Sequence, residues 1–259
     1  MLIGAGCIRR VELAYEADEA FSRIGPRFRR AVERGQIEWE DYSNFGMVLR
    51  FAAGAMGIPF IPTRTMLGSD IIRKEGFSEA TRKGDPKVAS KKLAVIDCPF
   101  TGDKIVLLPA IQTDVTIIHA QVADVQGTVR IYGQSFGDEQ QAKCAKKLIV
   151  TCEEIVEPEK LRDYPEHNLI PFFRVNAIVK VPYGAHPYAC FRYYDYDPEF
   201  LYMYHERAKD DDAFQKFLDE YVYGVSDWEE YLKKIGGKER LRRLKADKKL
   251  GYAPRIKRR

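Results

Sequence analysis

The chain has 259 residues, 45% of them hydrophobic and 31% charged, enough to bury one large core or two small ones. No apolar run approaches the roughly 20 residues that a membrane-crossing helix needs, and no charged-then-apolar leader is visible, so neither a membrane partner nor secretion is expected. The net charge of +4 hides an asymmetry: residues 236–259 hold eleven Lys/Arg against two acids, while the rest carries 31 against 36. That basic tail contains one aromatic residue, Tyr252, so it offers no stacking platform for bases, and nucleic acid is not an expected partner.

From the N-terminus, Cys7–Ala14 alternates like a strand. Pro26–Glu33 reads as a helix entered through proline and closed by Gly35. Asn44–Met56 is a second helix, with Phe45, Val48, Leu49 and Ala52 on one face and Gly57 at its end. A short apolar run, Ile58–Ile61, is interrupted by Pro59 and Pro62. A loop over Thr63–Asp70 carries Arg64, Gly68 and Ser69, and Arg73–Lys92 is polar and expected to be irregular. Leu93–Ile96 and Lys104–Leu108 are strand candidates, joined by the turn residues from Cys98 to Asp103.

Asp114–Ile118 predicts a buried strand that ends at the polar triplet His119-Ala120-Gln121. Gly127–Tyr132 predicts another strand, Gln140–Lys147 a helix, and Leu148–Thr151 a strand ending at Cys152-Glu153-Glu154. A strand, helix, strand order implies a crossover and parallel pairing. Ala177–Val181 is a further strand running into Pro182-Tyr-Gly-Ala-His-Pro187. Beyond Pro198 the chain reads as helical, with Phe200, Tyr204, Phe214, Phe217, Tyr221, Trp228 and Tyr231 available as core.

The short catalytic motifs are missing: no glycine-rich dinucleotide fingerprint, no phosphate loop, no Gly-x-Ser-x-Gly elbow. Five cysteines are scattered, with no Cys-x-x-Cys pair, and the four histidines lack ligand spacing. A metal site is therefore not expected, and free thiols in the cytoplasm are. What remains is a set of polar groups at strand ends, where ligands gather in open α/β sheets. Arg64 offers a planar fork for a carboxylate or phosphate, with an exposed surface arginine as the plain alternative. Gly68-Ser69 can present N–H groups to an oxyanion or be an ordinary turn. His119 and Gln121 sit after one strand, His186 after another. Of Glu153 and Glu154, adjacent on a strand, at most one points to a site.

Several runs carry a resemblance. Met1-Leu-Ile-Gly-Ala-Gly6, Arg27-Phe-Arg29, Glu40-Asp-Tyr-Ser43, Gly57-Ile-Pro-Phe-Ile-Pro62 and Gly68-Ser69 come first. Thr113–Gln121, Gly127–Ile131, Ile149–Ile155 and Val181–Pro187 follow, in order over nearly the whole chain. Together they resemble the α subunits of the family I coenzyme A transferases, glutaconate type. The resemblance implies a single α/β domain over 1–259, with a largely parallel open sheet flanked by helices, a helical C-terminal region and a basic tail at 236–259. It implies a hetero-oligomer with a β subunit that supplies the nucleophilic glutamate, so no catalytic nucleophile is expected in this chain. Acyl-CoA and a free carboxylic acid would be the substrates, with no permanently bound cofactor. Arg64, Ser69, His119, Gln121 and Glu19 would line the pocket, Glu19 from a segment that the family places near the subunit interface. Family α subunits begin with a further strand–helix portion carrying Gly-Gly-Phe, which nothing here matches, so the chain is expected to be N-terminally shortened. Arg64 in Pro-Thr-Arg-Thr-Met-Leu-Gly-Ser also resembles a branch that hydrolyses cyclic β-diketone CoA thioesters. The alternative functions are a non-catalytic scaffold and a ring-cleaving hydrolase subunit.

Overall fold

The computed structural model describes residues 1–18, 21 and 24–256; Glu19 lies outside them. In chain order the elements are β1 (Arg10–Leu13), α1 (Pro26–Glu33), β2 (Glu38–Asp41), α2 (Asn44–Met56), β3 (Phe60–Thr63), α3 (Glu79–Gly84), β4 (Ala94–Asp97), β5 (Lys104–Pro109), β6 (Val115–Asp124) and β7 (Val129–Arg130). They continue with α4 (Asp138–Cys144), β8 (Lys147–Val156), α5 (Glu159–Arg162), β9 (Asn168–Ile170), β10 (Ala177–Lys180), α6 (Pro198–Ala208), α7 (Asp211–Leu218), α8 (Trp228–Lys234) and α9 (Gly237–Leu244). The chain divides into two compact units, one of Met1–Ala17, Phe28–Thr116 and Phe136–Lys146, the other of Asp18–Arg27, Ile117–Ser135 and Lys147–Arg259.

In the first unit, α2 begins and ends by local chemistry. The Ser43 side chain accepts from the Gly46 N–H, and Gly57 closes the helix in the left-handed region at φ 72°. Its Gly54 lies so close to the loop after β5 that a Cβ there would stand 1.8 Å from the Ile111 carbonyl oxygen. An antiparallel sheet in the order β3-β5-β4 supplies the core. Val106 and Leu108 are fully buried with Tyr42 and Met66 on one face. The alternate positions, Phe60, Pro62, Ile96, Ile105 and Leu107, share the other face. That outer face is apolar too, yet Phe60 is 46% and Ile96 40% exposed. An antiparallel sheet with one wet face ordinarily alternates apolar and polar residues. The stretch expected to be irregular, Arg73–Lys92, contains α3, because Ser78 caps it by accepting from the Thr81 N–H.

The second unit is built on a five-stranded sheet in the order β10-β8-β6-β7-β9. β10 runs parallel to β8. Thr151 lies beside Ile118 and Val156 beside Val125, so β8 and β6 also run the same way. β7 and β9 add two antiparallel pairings, making a mixed sheet with a parallel half. The buried strand does not stop at His119-Ala120-Gln121, as its sequence suggests, but continues to Asp124. Asp124 ends it: its Oδ1 accepts from the N–H groups of Gln126, Gly127 and Thr128 at 2.9, 2.8 and 2.9 Å. Likewise β8 runs on through Glu153 and Glu154 to Val156, while the strand expected over Gly127–Tyr132 shrinks to two residues. The C-terminal helices pack the expected aromatic stripe, with Phe200, Tyr204 and Tyr221 edge-on or tilted to Phe217 at 6.0, 5.2 and 5.2 Å. No helix among the described residues is long and apolar enough to cross a membrane.

Candidate functional site

Neighbouring β6 and β8 place two polar pairs on facing positions. Residues two apart on a strand share a face, so His119 stands with Gln121, and Thr151 with Glu153. His119 meets both residues of the second pair: Nδ1 is 2.9 Å from Thr151 Oγ1 and Nε2 is 2.7 Å from Glu153 Oε1. A carboxylate only accepts, so Nε2 donates to Glu153, while Nδ1 and the threonine hydroxyl share the second bond.

Glu153 is buried, and both its oxygens are hydrogen-bonded, three bonds falling on Oε1 and one on Oε2. Besides His119, they accept from the Tyr183 N–H at 2.7 Å, the Gly184 N–H at 3.2 Å and the Tyr194 hydroxyl at 2.7 Å. The Tyr194 oxygen in turn accepts from the Ala185 N–H at 2.8 Å. One carboxylate thereby ties the turn after β10 to the sheet. Gly184 is required at that turn, since a Cβ would stand 2.6 Å from His119 Cε1. Burial, reinforced by the Glu153 charge, raises the Tyr194 phenol well above its ordinary range and keeps it a donor. The same two causes push the Cys190 thiol up to about 12. His119, Glu153 and Cys190 present ligand atoms within 4.8 Å of one another. A cation there would have to take a proton from that thiol and break the donor set around Glu153, so the chemistry of the cluster is that of a hydrogen-bonded network. Glu154, next to Glu153, is exposed.

The other expected site residues are placed as follows. Gln121 is buried, and its amide is spent on backbone: Nε2 donates to the Tyr132 and Phe191 carbonyls at 3.2 and 3.3 Å, and Oε1 accepts from the Tyr132 N–H at 3.0 Å. Arg64, in the first unit, is exposed and pairs with the equally accessible Asp103 at 2.5 Å. Ser69, in the same unit, donates its hydroxyl to the Met66 carbonyl at 2.7 Å and its N–H to the same oxygen at 3.1 Å. His186 holds the start of α6, with Nδ1 2.7 Å from the Tyr231 hydroxyl and Nε2 3.2 Å from Asp197. Thr151 and Tyr194 were not legible as members of the cluster. The spacing Thr151-x-Glu153 beside His119-x-Gln121 is the sequence signal that points to the first; nothing local points to Tyr194, 41 residues away from its partner Glu153.

A family model described as coenzyme A transferase matches residues 1–181. The chain belongs to the coenzyme A transferase family. It is 43% identical over 253 residues to the A subunit of glutaconate CoA-transferase from Acidaminococcus fermentans, covering 97% of this chain and 79% of that protein. It is 34% identical over 238 residues to the A subunit of 3-oxoadipate CoA-transferase from Pseudomonas knackmussii, covering 91% and 78%. The solved glutaconate coenzyme A-transferase of A. fermentans superposes with a TM-score of 0.92 at 42% identity, over 97% of this chain and 80% of that one. The mixed α/β architecture, with its helical C-terminal region, is thus that of a coenzyme A transferase. In this family member the His119–Glu153 network joins β6, β8 and the turn at 183–185, all within the second unit.

Proposed function

We propose that this chain is the α subunit of a heteromeric CoA-transferase that moves CoA between carboxylic acids, with the attacking glutamate on a β subunit. In such a reaction the carboxylate attacks the acyl-CoA thioester and expels the CoA thiolate, leaving a mixed anhydride. The thiolate then attacks the glutamyl carbonyl, releasing the first acid and forming a glutamyl-CoA thioester. A second acid reverses both steps and leaves with CoA. The observation that carries the division of labour is the state of Glu153: a carboxylate holding four hydrogen bonds, one of them to His119, is not available as a nucleophile. Two features support a partner chain. Both relatives named above are, by name, single subunits of their enzymes. The apolar outer face of β3-β5-β4 is left in solvent by this chain alone.

Both relatives are also named for acids that carry two carboxylates, which favours a dicarboxylic or 3-oxo-dicarboxylic substrate here. Arg64 is the residue we assign to the second carboxylate, because its surface pair with Asp103 is readily exchanged for a ligand anion. Ser69, in the same unit as Arg64, would orient the acyl group; His119 and Gln121 are assigned a supporting role within the second unit. The chain, co-expressed with its β subunit, should exchange CoA between two dicarboxylic acids and form a hydroxylamine-sensitive thioester on the partner. Arg64→Ala should raise KM for dicarboxylates about tenfold or more, with little effect on monocarboxylates. Absence of exchange over a broad acid panel, a thioester on this chain, or cleavage of a cyclic β-diketone thioester without any acceptor acid would each overturn the assignment.

A further inference from the structure

The basic tail is not absorbed by the transferase reading, and the fold brings part of it onto a cavity. The second unit has an opening of about 450 Å³ between the start of α6 and the chain from α9 onward, a size suited to a small ligand. Three guanidiniums line it, those of Arg240, Arg243 and Arg255, with Leu244 and Ile256 as apolar wall. The three differ in how their charge is met. Arg240 makes a bidentate fork to Asp197, at 2.7 and 2.5 Å, and reaches Glu199 at 2.5 Å. Arg243 and Arg255 have no ion-pair or hydrogen-bond partner among the described residues. Both are exposed, and two cations with no counter-charge beside one opening raise the local positive potential, which a doubly charged anion meets. Guanidinium forks match phosphate geometry, and the apolar wall leaves room for more than a bare ion.

We propose that Arg243 and Arg255 bind a phosphate-bearing anion in this cavity. The chemistry is that of a phosphate dianion, whether carried by the nucleotide end of a CoA compound or by free pyrophosphate. Arg240, already neutralised, acts as a positioning residue that fixes α9 against Asp197. Glu199 is the competitor: its carboxylate is 66% exposed at the cavity and shares Arg240.

Titration calorimetry on the full chain with pyrophosphate, CoA and dephospho-CoA tests this. At least one of pyrophosphate and CoA should bind saturably, and R243Q/R255Q should weaken that binding about tenfold or more. Glu199→Gln should tighten it by about two- to fivefold, a gain that misfolding cannot mimic. Lys249→Gln, which removes a tail charge outside the cavity, should leave it unchanged. Loss of affinity on going from CoA to dephospho-CoA identifies the nucleotide 3′-phosphate as the ligand; tight pyrophosphate binding with no preference for CoA identifies the free anion. No saturable binding, equal binding by R243Q/R255Q and the parent, or equal weakening by Lys249→Gln would overturn the proposal. The readout is binding to this chain, so the transferase reading fails separately, in the exchange assay.

Discussion

At the scale of single residues, two buried carboxylates organise the second unit. Glu153 accepts from two backbone N–H groups, a tyrosine and a histidine. Replacing it by glutamine turns one acceptor into a donor facing donors, which should cost about 2–3 kcal/mol and lower the melting temperature by roughly 5–10 °C. The exposed neighbour Glu154→Gln should stay within about 0.5 kcal/mol of the parent in the same unfolding measurement. Asp197 is the second. Burial alone would raise its carboxyl, but hydrogen bonds from His186 and Arg240 outweigh that and hold it below the usual carboxylate range. A depressed folded value means the stabilisation is complete above the unfolded value near 4 and is withdrawn as pH falls below it. The gap in urea midpoint between the parent and Asp197→Asn should therefore be wide at pH 7 and narrow toward pH 3; a gap independent of pH would sink the assignment.

At the scale of elements, local signals set helices well and strand ends poorly. The sequence-predicted bounds of α1 and α2 are those observed, because a proline entry, a serine cap and a terminal glycine act within a few residues. β6 and β8 outran their expected ends because the polar residues that interrupt the apolar runs are satisfied across the sheet rather than by water: His119 by Thr151 and Glu153, and Gln121 by Tyr132 and Phe191. Alternation alone does not reveal a polar residue whose partner sits on another strand. Gly54 makes the same point within α2. An exposed helical Gly→Ala change usually stabilises by up to about 1 kcal/mol, but here the new methyl meets the Ile111 carbonyl. Gly54→Ala should instead destabilise by roughly 2–3 kcal/mol in denaturant titrations.

At the scale of the whole molecule, the outer face of β3-β5-β4 is where the chain departs most from what a self-sufficient domain needs. Phe60 and Ile96 lie on that face with Ile105 and Leu107, and the proposed β subunit would remove them from water by covering it. The double variant Phe60→Lys with Ile96→Lys should keep the parent's melting temperature, since both side chains are already half in solvent, yet lose co-purification with the β subunit. Retained co-purification would place the interface elsewhere.

The sequence by itself determined the α/β class, the bounds of α1 and α2, the aromatic C-terminal core and membership of a coenzyme A transferase family. These rest on periodicity, capping and ordered motifs, which are local or simply additive along the chain. Only the tertiary structure decided that Glu153, rather than Glu154, is the buried carboxylate, that His119 is bound to it, that Tyr194 joins them, and that Arg243 and Arg255 share one cavity. Those facts depend on strand register and chain crossings between residues tens of positions apart. No local propensity encodes them; they follow from which pairings bury the most apolar surface while leaving few buried polar atoms without a partner.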